Sequence, residues 1–584
     1  MTTPYIVERQ GKQYMYRATS HYSSEKRGPV AETEYMGVVI DGKLKPKRGY
    51  FYNESTGEFG PIKTLPVQDK VPMRLVNKRY GDTYFLMALQ KRLHILDDLE
   101  AAFGRRNGSM IMAVVFAYTI QPSALMHLES VVERRYIPEM LQLPSDIDLS
   151  SPRLSELTHS IGTAHDCMDE FFRRRISSSD EELIFDLTSE STYSLKNTNA
   201  EWGRNKDRVP LRQINVGLVT DRHGRPLMFR TYPGSVADVT TLGRIVDDVR
   251  RFGGKDNTLV MDRGFMSPRS IMYLLENGMD FVMPMVVGDK PIMRTMVTDL
   301  ISKIGNVENL KVYSDRSYTV DIRQMGIRRC KGTDVSKRNT IWEDPDGYDL
   351  LLDDDPEFGS CNHLLDVFLF RDVESAGSEI AGMDIALNGI INDIEGKRAR
   401  NPKMFFSKVA GMYESMLEMT VDEKGMHASI RQNAHTFAAN RKGVFVMIAP
   451  ASDERGWDDV LRCYECRDRI EDAIFQDKSE GDGRTPRSGD RDTIVGRTFI
   501  RMVSLILRME MINRISEVAN DKTMKKELKP RDIGKRSPTS LLDSLSNIEL
   551  IIGDGWNHLT EVTKDCRLIY NMFNIGPPKG IDRF

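Results

Sequence analysis

The chain has 584 residues, a formal net charge of −3, 40% hydrophobic and 29% charged residues. That length exceeds a single hydrophobic core and predicts roughly three or four domains, and the composition is that expected of an ordinary soluble protein. No apolar run approaches the ~20 residues that a membrane-spanning helix needs. The acidic balance argues against a protein that merely coats nucleic acid, although screening over about 8–10 Å leaves room for local basic surfaces.

The opening residues, MTTPYIVERQGKQYMYR, are polar and lack a signal-peptide core, so a cytoplasmic location is expected. Residues 1–75 are rich in Tyr, Gly, Lys and Pro, with short β-like runs at 36–40 and 48–54. The pattern then turns helical over 76–178. In 84–104, Tyr84, Leu86, Met87, Leu93, Leu96 and Leu99 recur mostly at three- and four-residue steps. Further helices are predicted at 108–119, 123–134 and 154–175.

A different texture begins at 179. LIFDLTS (183–189) reads as a buried strand, and INVGLVT (214–220) and PLMFRTY (226–232) flank the polar turn Asp221 to Arg225 as a hairpin. An amphipathic helix follows at 237–252, with Leu242, Ile245, Val246, Val249 and Phe252 on one side. NTLVMD (257–262) is a strand, SPRSIMYLLENG (267–278) a helix and DFVMPM (280–285) a strand. This order predicts a mixed sheet flanked by helices, with 179–286 as the first half of an α/β core. Residues 287–441, with the acidic, turn-rich stretch 342–360, are expected to be a β-rich insertion. The core resumes over 442–520 with the strand GVFVMIA (443–449) and helices at about 456–480 and 495–513. Residues 521–584 form a C-terminal helical region that opens with the basic run 522–536.

Two carboxylates stand out. Asp186 sits inside LIFDLTS and Asp262 ends NTLVMD. A charge inside an apolar strand is costly unless it is paired or binds metal, and the first and fourth strands of such a sheet can lie side by side. The helix at 456–480 carries Tyr464, Arg467, Glu471 and Lys478, spaced by three, four and seven. At about 100° per residue these share a stripe ~60° wide, an acid with three groups suited to phosphate or bases. Each feature has a plainer reading. Asp186 can cap a turn through Thr188 and Ser189, Asp262 can be a turn residue, and Arg467 and Glu471 can be a surface i,i+4 pair. Cys463 and Cys466 form a lone C-x-x-C with no second ligand pair, which reads as two reduced thiols on a helix.

Tyr464-x2-Arg467-x3-Glu471-x6-Lys478 resembles the Y-R-E-K signature of DDE transposases of bacterial insertion sequences. DLTSESTYS (186–194), EWGRNKDR (201–208), the stretch 213–242 and VMDRGF (260–265) are similar to that group's first two catalytic blocks. The resemblance implies an RNase H-like mixed-sheet core interrupted by a β-rich insertion, with helical N- and C-terminal regions. It implies a catalytic triad of Asp186, Asp262 and Glu471 holding two Mg²⁺ ions, with Mn²⁺ able to substitute. Tyr464, Arg467 and Lys478 would grip the transposon end. Partners would be the terminal inverted repeats and target DNA, with a homodimer assembled on DNA and no membrane. The 76–178 region is expected to bind DNA, and so is the loop with Arg204, Asn205 and Lys206. The alternatives are a metal-dependent nuclease on the same fold and a non-catalytic repressor. One departure is Arg497, where relatives often carry His. The run Arg173–Arg175 and the basic stretch 522–536 are each read as a DNA surface or as a structural, solvated feature.

Overall fold

The computed structural model describes residues 4–23, 26, 28–54, 56–61, 75–144, 147–179, 182–203, 209–236, 238–254, 256–286, 291–329, 348–479, 489–520, 536–553 and 556–581. They fall into two compact units, an N-terminal one ending at Leu75 and a larger one that holds nearly all the rest.

The first unit is an antiparallel meander of β1 (Pro4–Arg9), β2 (Lys12–Ser23), β3 (Gly28–Ile40) and β4 (Lys43–Pro46), followed by the hairpin β5 (Tyr50–Asn53) and β6 (Glu58–Pro61). Two-residue turns at Gln10-Gly11 and Asp41-Gly42 close the meander, all four residues having φ between 52° and 76°. Such turns match the twist of the strands they join, and glycine adopts them without strain. The small core is Met36, Val39 and Phe59.

The second unit is built on one long sheet. Its first five strands are β8 (Glu182–Ser191), β9 (Gln213–Asp221), β10 (Pro226–Pro233), β11 (Thr258–Met261) and β12 (Asp280–Met285). They lie in the order β10-β9-β8-β11-β12, with β8–β9–β10 antiparallel and β8, β11 and β12 parallel. This is the mixed sheet that the element order predicted. Helices α8 (Asp238–Arg251) and α9 (Pro268–Glu276) make the crossovers. Every position of β9 is buried, as in a strand covered on both faces.

The stretch 287–441 departs from the expected separate insertion. After α10 (Pro291–Ser302), the strands β13 (Leu310–Tyr313), β14 (Arg316–Arg329), β15 (Tyr348–Leu352) and β16 (His363–Asp372) extend the same sheet, which continues from β12 through β19 (Val444–Pro450) to β16, β14 and β13. The cause is apolar: Leu365, Val367, Phe368, Leu369 and Phe370 of β16 are buried, and β16 pairs directly with β19. The true excursion is shorter and mixed in structure. It comprises α11 (Val373–Ile394), α12 (Pro402–Ala410), the hairpin β17 (Leu417–Asp422) and β18 (Gly425–Ile430), and α13 (Gln432–Asn440). It has its own core of Met383, Leu387, Ile394, Phe406, Ala410, Leu417 and Met426. It leaves and rejoins the sheet at one point, where the Asp372 N–H donates to the Gly443 carbonyl at 2.9 Å.

The helical region also differs from a free-standing domain. After β7 (Val76–Arg79) come α1 (Gly81–Arg92), α2 (Ile95–Phe103), α3 (Arg105–Ile120), α4 (Leu125–Glu133), α5 (Ile137–Met140), α6 (Ser151–Thr163) and α7 (His165–Ser177). Their buried side chains join one continuous core with the sheet. The predicted helix 84–104 breaks at His94, whose φ is 53°, and 154–175 breaks at Ala164. Two long helices follow the sheet, α14 (Trp457–Ser479) and α15 (Arg491–Asn520). The C-terminal region is not purely helical: α16 (Pro538–Leu545) and α17 (Lys564–Met572) enclose β20 (Glu549–Gly553) and β21 (Trp556–Leu559), and β20 pairs with β7. Among the described residues, no helix is long and apolar enough to cross a membrane.

Helix α15 is buried almost all round and is the axis of the helical layer. It meets α6 so closely that a Cβ on Gly496 would stand 1.8 Å from the Thr158 carbonyl oxygen, and one on Gly162 equally near that of Asp492. Backbone cannot yield as a side chain can, so Gly496→Ala should cost about 1–3 kcal/mol or more. A lowered melting temperature in thermal denaturation is the expected result, and an unchanged one would show that the two helices can part freely.

Candidate active site

The site is set by strand register. Phe185 of β8 lies opposite Met261 of β11 in a parallel pair. One step further along come Asp186, still within β8, and Asp262, which directly follows the last residue of β11; paired strands lie about 4.8 Å apart. Asp186 is the one position of ten-residue β8 that is not buried. The apolar strand therefore presents a single acid, whose Oδ1 accepts from the Leu187 N–H at 2.7 Å.

Helix α14 packs against β8, β11 and β12 and brings in the third acid. The Arg467 guanidinium donates through Nη1 to Asp262 Oδ1 at 2.6 Å and through Nη2 to Glu471 Oε1 at 2.7 Å. The side chains of Asp262 and Glu471 are 38% and 57% exposed, so water reaches this pair. Burial works against the charge on Arg467, but Asp262, Tyr464 and Glu471 outweigh it and raise its pKa. The Arg467–Glu471 i,i+4 pair of the plainer reading does form, and it includes Asp262 as well. Among the described residues, no three His, Cys, Asp or Glu side chains stand together as a ready ligand cluster. The guanidinium holds the positive charge between two of the acids instead.

The other members of the helical stripe face the same way. The Tyr464 ring stacks on Phe445 at 5.7 Å between centroids and lies under Arg467. Lys478 Nζ donates to the Ser189 carbonyl of β8 at 2.9 Å. The stripe thus lies along the sheet and its acids, with Glu471 at its exposed margin. Arg204, Asn205 and Lys206 lie outside the described residues, as does the basic stretch over 522–535. Arg173 and Arg174 pair with Glu170, and buried Arg175 donates to Asp98 and to the Leu93 carbonyl, so this run is structural. Arg497, the departure from the resemblance, sits half-buried in α15, and burial lowers its pKa.

Residues that the sequence reading missed fasten α14 at both ends. Near its start Arg462 pairs with Glu182 of β8, which is 2% exposed. Near its end Arg501 of α15 grips Glu190 of β8, with Nη2 and Nη1 at 2.8 and 3.1 Å from its two oxygens, and Asp477 of α14, with Nε at 3.0 Å from Oδ1. Burial opposes the charge of Arg501, but Asp477 and Glu190 hold its pKa well above the ordinary value. Removing one member of such a buried pair typically costs about 3–5 kcal/mol. A signal existed: Arg501 is embedded in the apolar run VGRTFIRMVSLIL, where a charge requires a partner.

With this geometry in view, the strand order β10-β9-β8-β11-β12, with its antiparallel and parallel halves, is that of an RNase H-like core. Residues 177–346 match the family model of the transposase DDE domain, so that stretch of the chain is similar to that family. That family implies an enzyme that acts on DNA and uses divalent metal. The match includes Asp186 and Asp262 and stops short of Glu471 and the helical stripe. No curated protein matches the chain.

The C-x-x-C pair on α14 is structural. Cys463 is buried and free, burial pushes its thiol up to about 12, and Cys466 moves in the same direction for the same cause. A raised thiol pKa keeps the unreactive protonated form through neutral pH. Iodoacetamide at pH 8 should therefore leave Cys463 unmodified in the native chain and label it after denaturation, as read by peptide mass. Rapid native labelling would place the thiol in a wetter environment.

Proposed function

We propose that the chain is a transposase that cleaves DNA at transposon ends and joins the freed 3′-hydroxyl to target DNA. In this reading Asp186, Asp262 and Glu471 are the acids that hold the catalytic metal. The observation that carries it is that Arg467 links Asp262 and Glu471, remote in sequence, where β11 ends beside the strand that holds Asp186. Oxygen donors of this kind suit Mg²⁺, with Mn²⁺ as a substitute. Their concentration beside one arginine fits a position that favours positive charge. Two such ions would activate the attacking oxygen and stabilise the leaving one.

The chain's own residues do the rest. The parallel pairing of β8 and β11 fixes the separation of the aspartates, and the ion pairs at both ends of α14 fix the approach of Glu471. Arg467 neutralises Asp262 and Glu471 before they are used. When it releases them, its guanidinium is free to bind a phosphate oxygen of the transposon end. Tyr464 and Lys478, on the same stripe, would meet that DNA, the role that the resemblance to the Y-R-E-K group of bacterial insertion sequences implies for them. Two ends must be brought together for joining, so the working form is a homodimer assembled on DNA.

Asp186→Asn, Asp262→Asn and Glu471→Gln should each abolish Mg²⁺-dependent cleavage of DNA carrying the element's inverted repeats while retaining end binding in a mobility-shift assay. Normal cleavage by all three would reject the triad. Cleavage without joining of precut ends would assign a nuclease instead.

Arg467 gives a second test. Arg467→Ala leaves Asp262 and Glu471 facing each other without a cation, a repulsion on the order of 1 kcal/mol at this exposure. Mn²⁺ should then raise the melting temperature of the DNA-free variant more than that of the parent chain. An equal rise in both would mean that the guanidinium and the metal do not share these carboxylates.

A further inference from the structure

The meander of the N-terminal unit separates its side chains by face. Tyr5 pairs across the strands with Tyr16, and Tyr16 with Tyr35. Tyr14 and Tyr22 lie two and six residues from Tyr16 on β2, and strand alternation therefore puts all five tyrosines of β1–β4 on one face. The rings form a connected row: Tyr5–Tyr16 at 6.1 Å, Tyr16–Tyr35 at 5.4 Å and Tyr14–Tyr35 at 6.2 Å between centroids. The same alternation puts Arg9, Lys12, Lys43 and Lys45 on this face. None of these four cations forms an ion pair among the described residues.

The carboxylates of the four strands take the other side. Glu8 lies opposite Gln13, Glu32 opposite Thr19 and Glu34 opposite Arg17. Glu34 is engaged there by Arg17 and Lys47 beside the buried Phe59. In a chain that is acidic overall, one sheet face thus carries five aromatic rings and four cations and no strand carboxylate. Two of the rings are well exposed, Tyr22 at 72% and Tyr5 at 43%.

We propose that this face binds single-stranded DNA, with bases stacked on the tyrosine row and phosphates met by Arg9, Lys12, Lys43 and Lys45. Charge complementarity selects a polyanion. The rings select unpaired bases, because stacking on a side chain needs a base whose face is open. The meander itself offers a broad sheet surface and no helix to enter a duplex groove. Such binding tolerates any sequence and weakens with salt. It is independent of the acids on the large sheet and needs no divalent metal.

The test uses the full chain in EDTA with a fluorescein-labelled oligo(dT) and a duplex of equal length, read by anisotropy across a salt series. Tyr5→Ala/Tyr22→Ala should weaken oligo(dT) binding about tenfold or more and leave the duplex unaffected. Tyr5→Leu/Tyr22→Leu, which keeps apolar cover without rings, should do the same. Lys43→Glu/Lys45→Glu should flatten the salt dependence for oligo(dT) by about 1.4 in the log–log slope, about 0.7 per phosphate contact. Unchanged melting temperatures confirm that the variants fold. Parent-like oligo(dT) binding by the tyrosine variants overturns the proposal. So does an equal loss for both probes, which assigns a duplex surface, or a change in the mass of the chain by light scattering, which assigns a protein interface. Because cleavage is never measured, failure here leaves the transposase reading standing, and an inactive triad leaves this one standing.

Discussion

The parallel pairing of β8 with β11 is the constraint on which the site depends. It sets Asp186, within β8, beside the end of β11, which Asp262 directly follows, and the pairing of β8 with β9 carries on past Asp186 and holds that backbone in place. Like charges so placed repel, and the chain answers from a third element. Arg467 reaches from α14 to Asp262 and, one turn along its own helix, holds Glu471. The same contact docks the helix, neutralises part of the site and orders the third acid. Around it the Glu182–Arg462 and Glu190–Arg501–Asp477 pairs fix where the helix lies along β8.

This arrangement divides labour between burial and exposure. The pairs that fasten α14 include nearly inaccessible carboxylates, where an unpartnered charge would be expensive, so the helix has little freedom to move. Between the fastenings, Asp262 and Glu471 stay open to water. On the proposed function this combination gives rigid support to an exchangeable centre, as phosphoryl transfer requires.

Much of this was legible in the sequence because it rests on local patterns. The apolar runs around Asp186 and Asp262 mark buried strands, the turn from Asp221 to Arg225 marks the hairpin, and the spacing from Tyr464 to Lys478 marks one helix face. What was not legible depends on pairing between distant segments. Nothing local in His363–Asp372 says that it will lie against Val444–Pro450, so the stretch before it looked like a separate body when it is an extension of the main sheet. The partners of Arg501 could not be named for the same reason, though its apolar setting announced that it must have some. The face segregation of β1–β4 becomes visible only with the register, because the bulge between Met15 and Tyr16 shifts the alternation along β3.

The excursion between β16 and β19 has a consequence of its own. Its two ends are clasped by the Asp372–Gly443 hydrogen bond, and beyond the part of α11 that packs on β14 and β16 it has a small apolar core of its own. To the sheet that outer part is equivalent to a loop. Closing a longer loop costs little more than closing a short one, so descendants of this chain can enlarge, trim or exchange that appendage without altering the alignment of a single strand. The β8–β11 pairing and the acids beside it are insulated from such change, and the appendage is where sequence can vary at least risk to them.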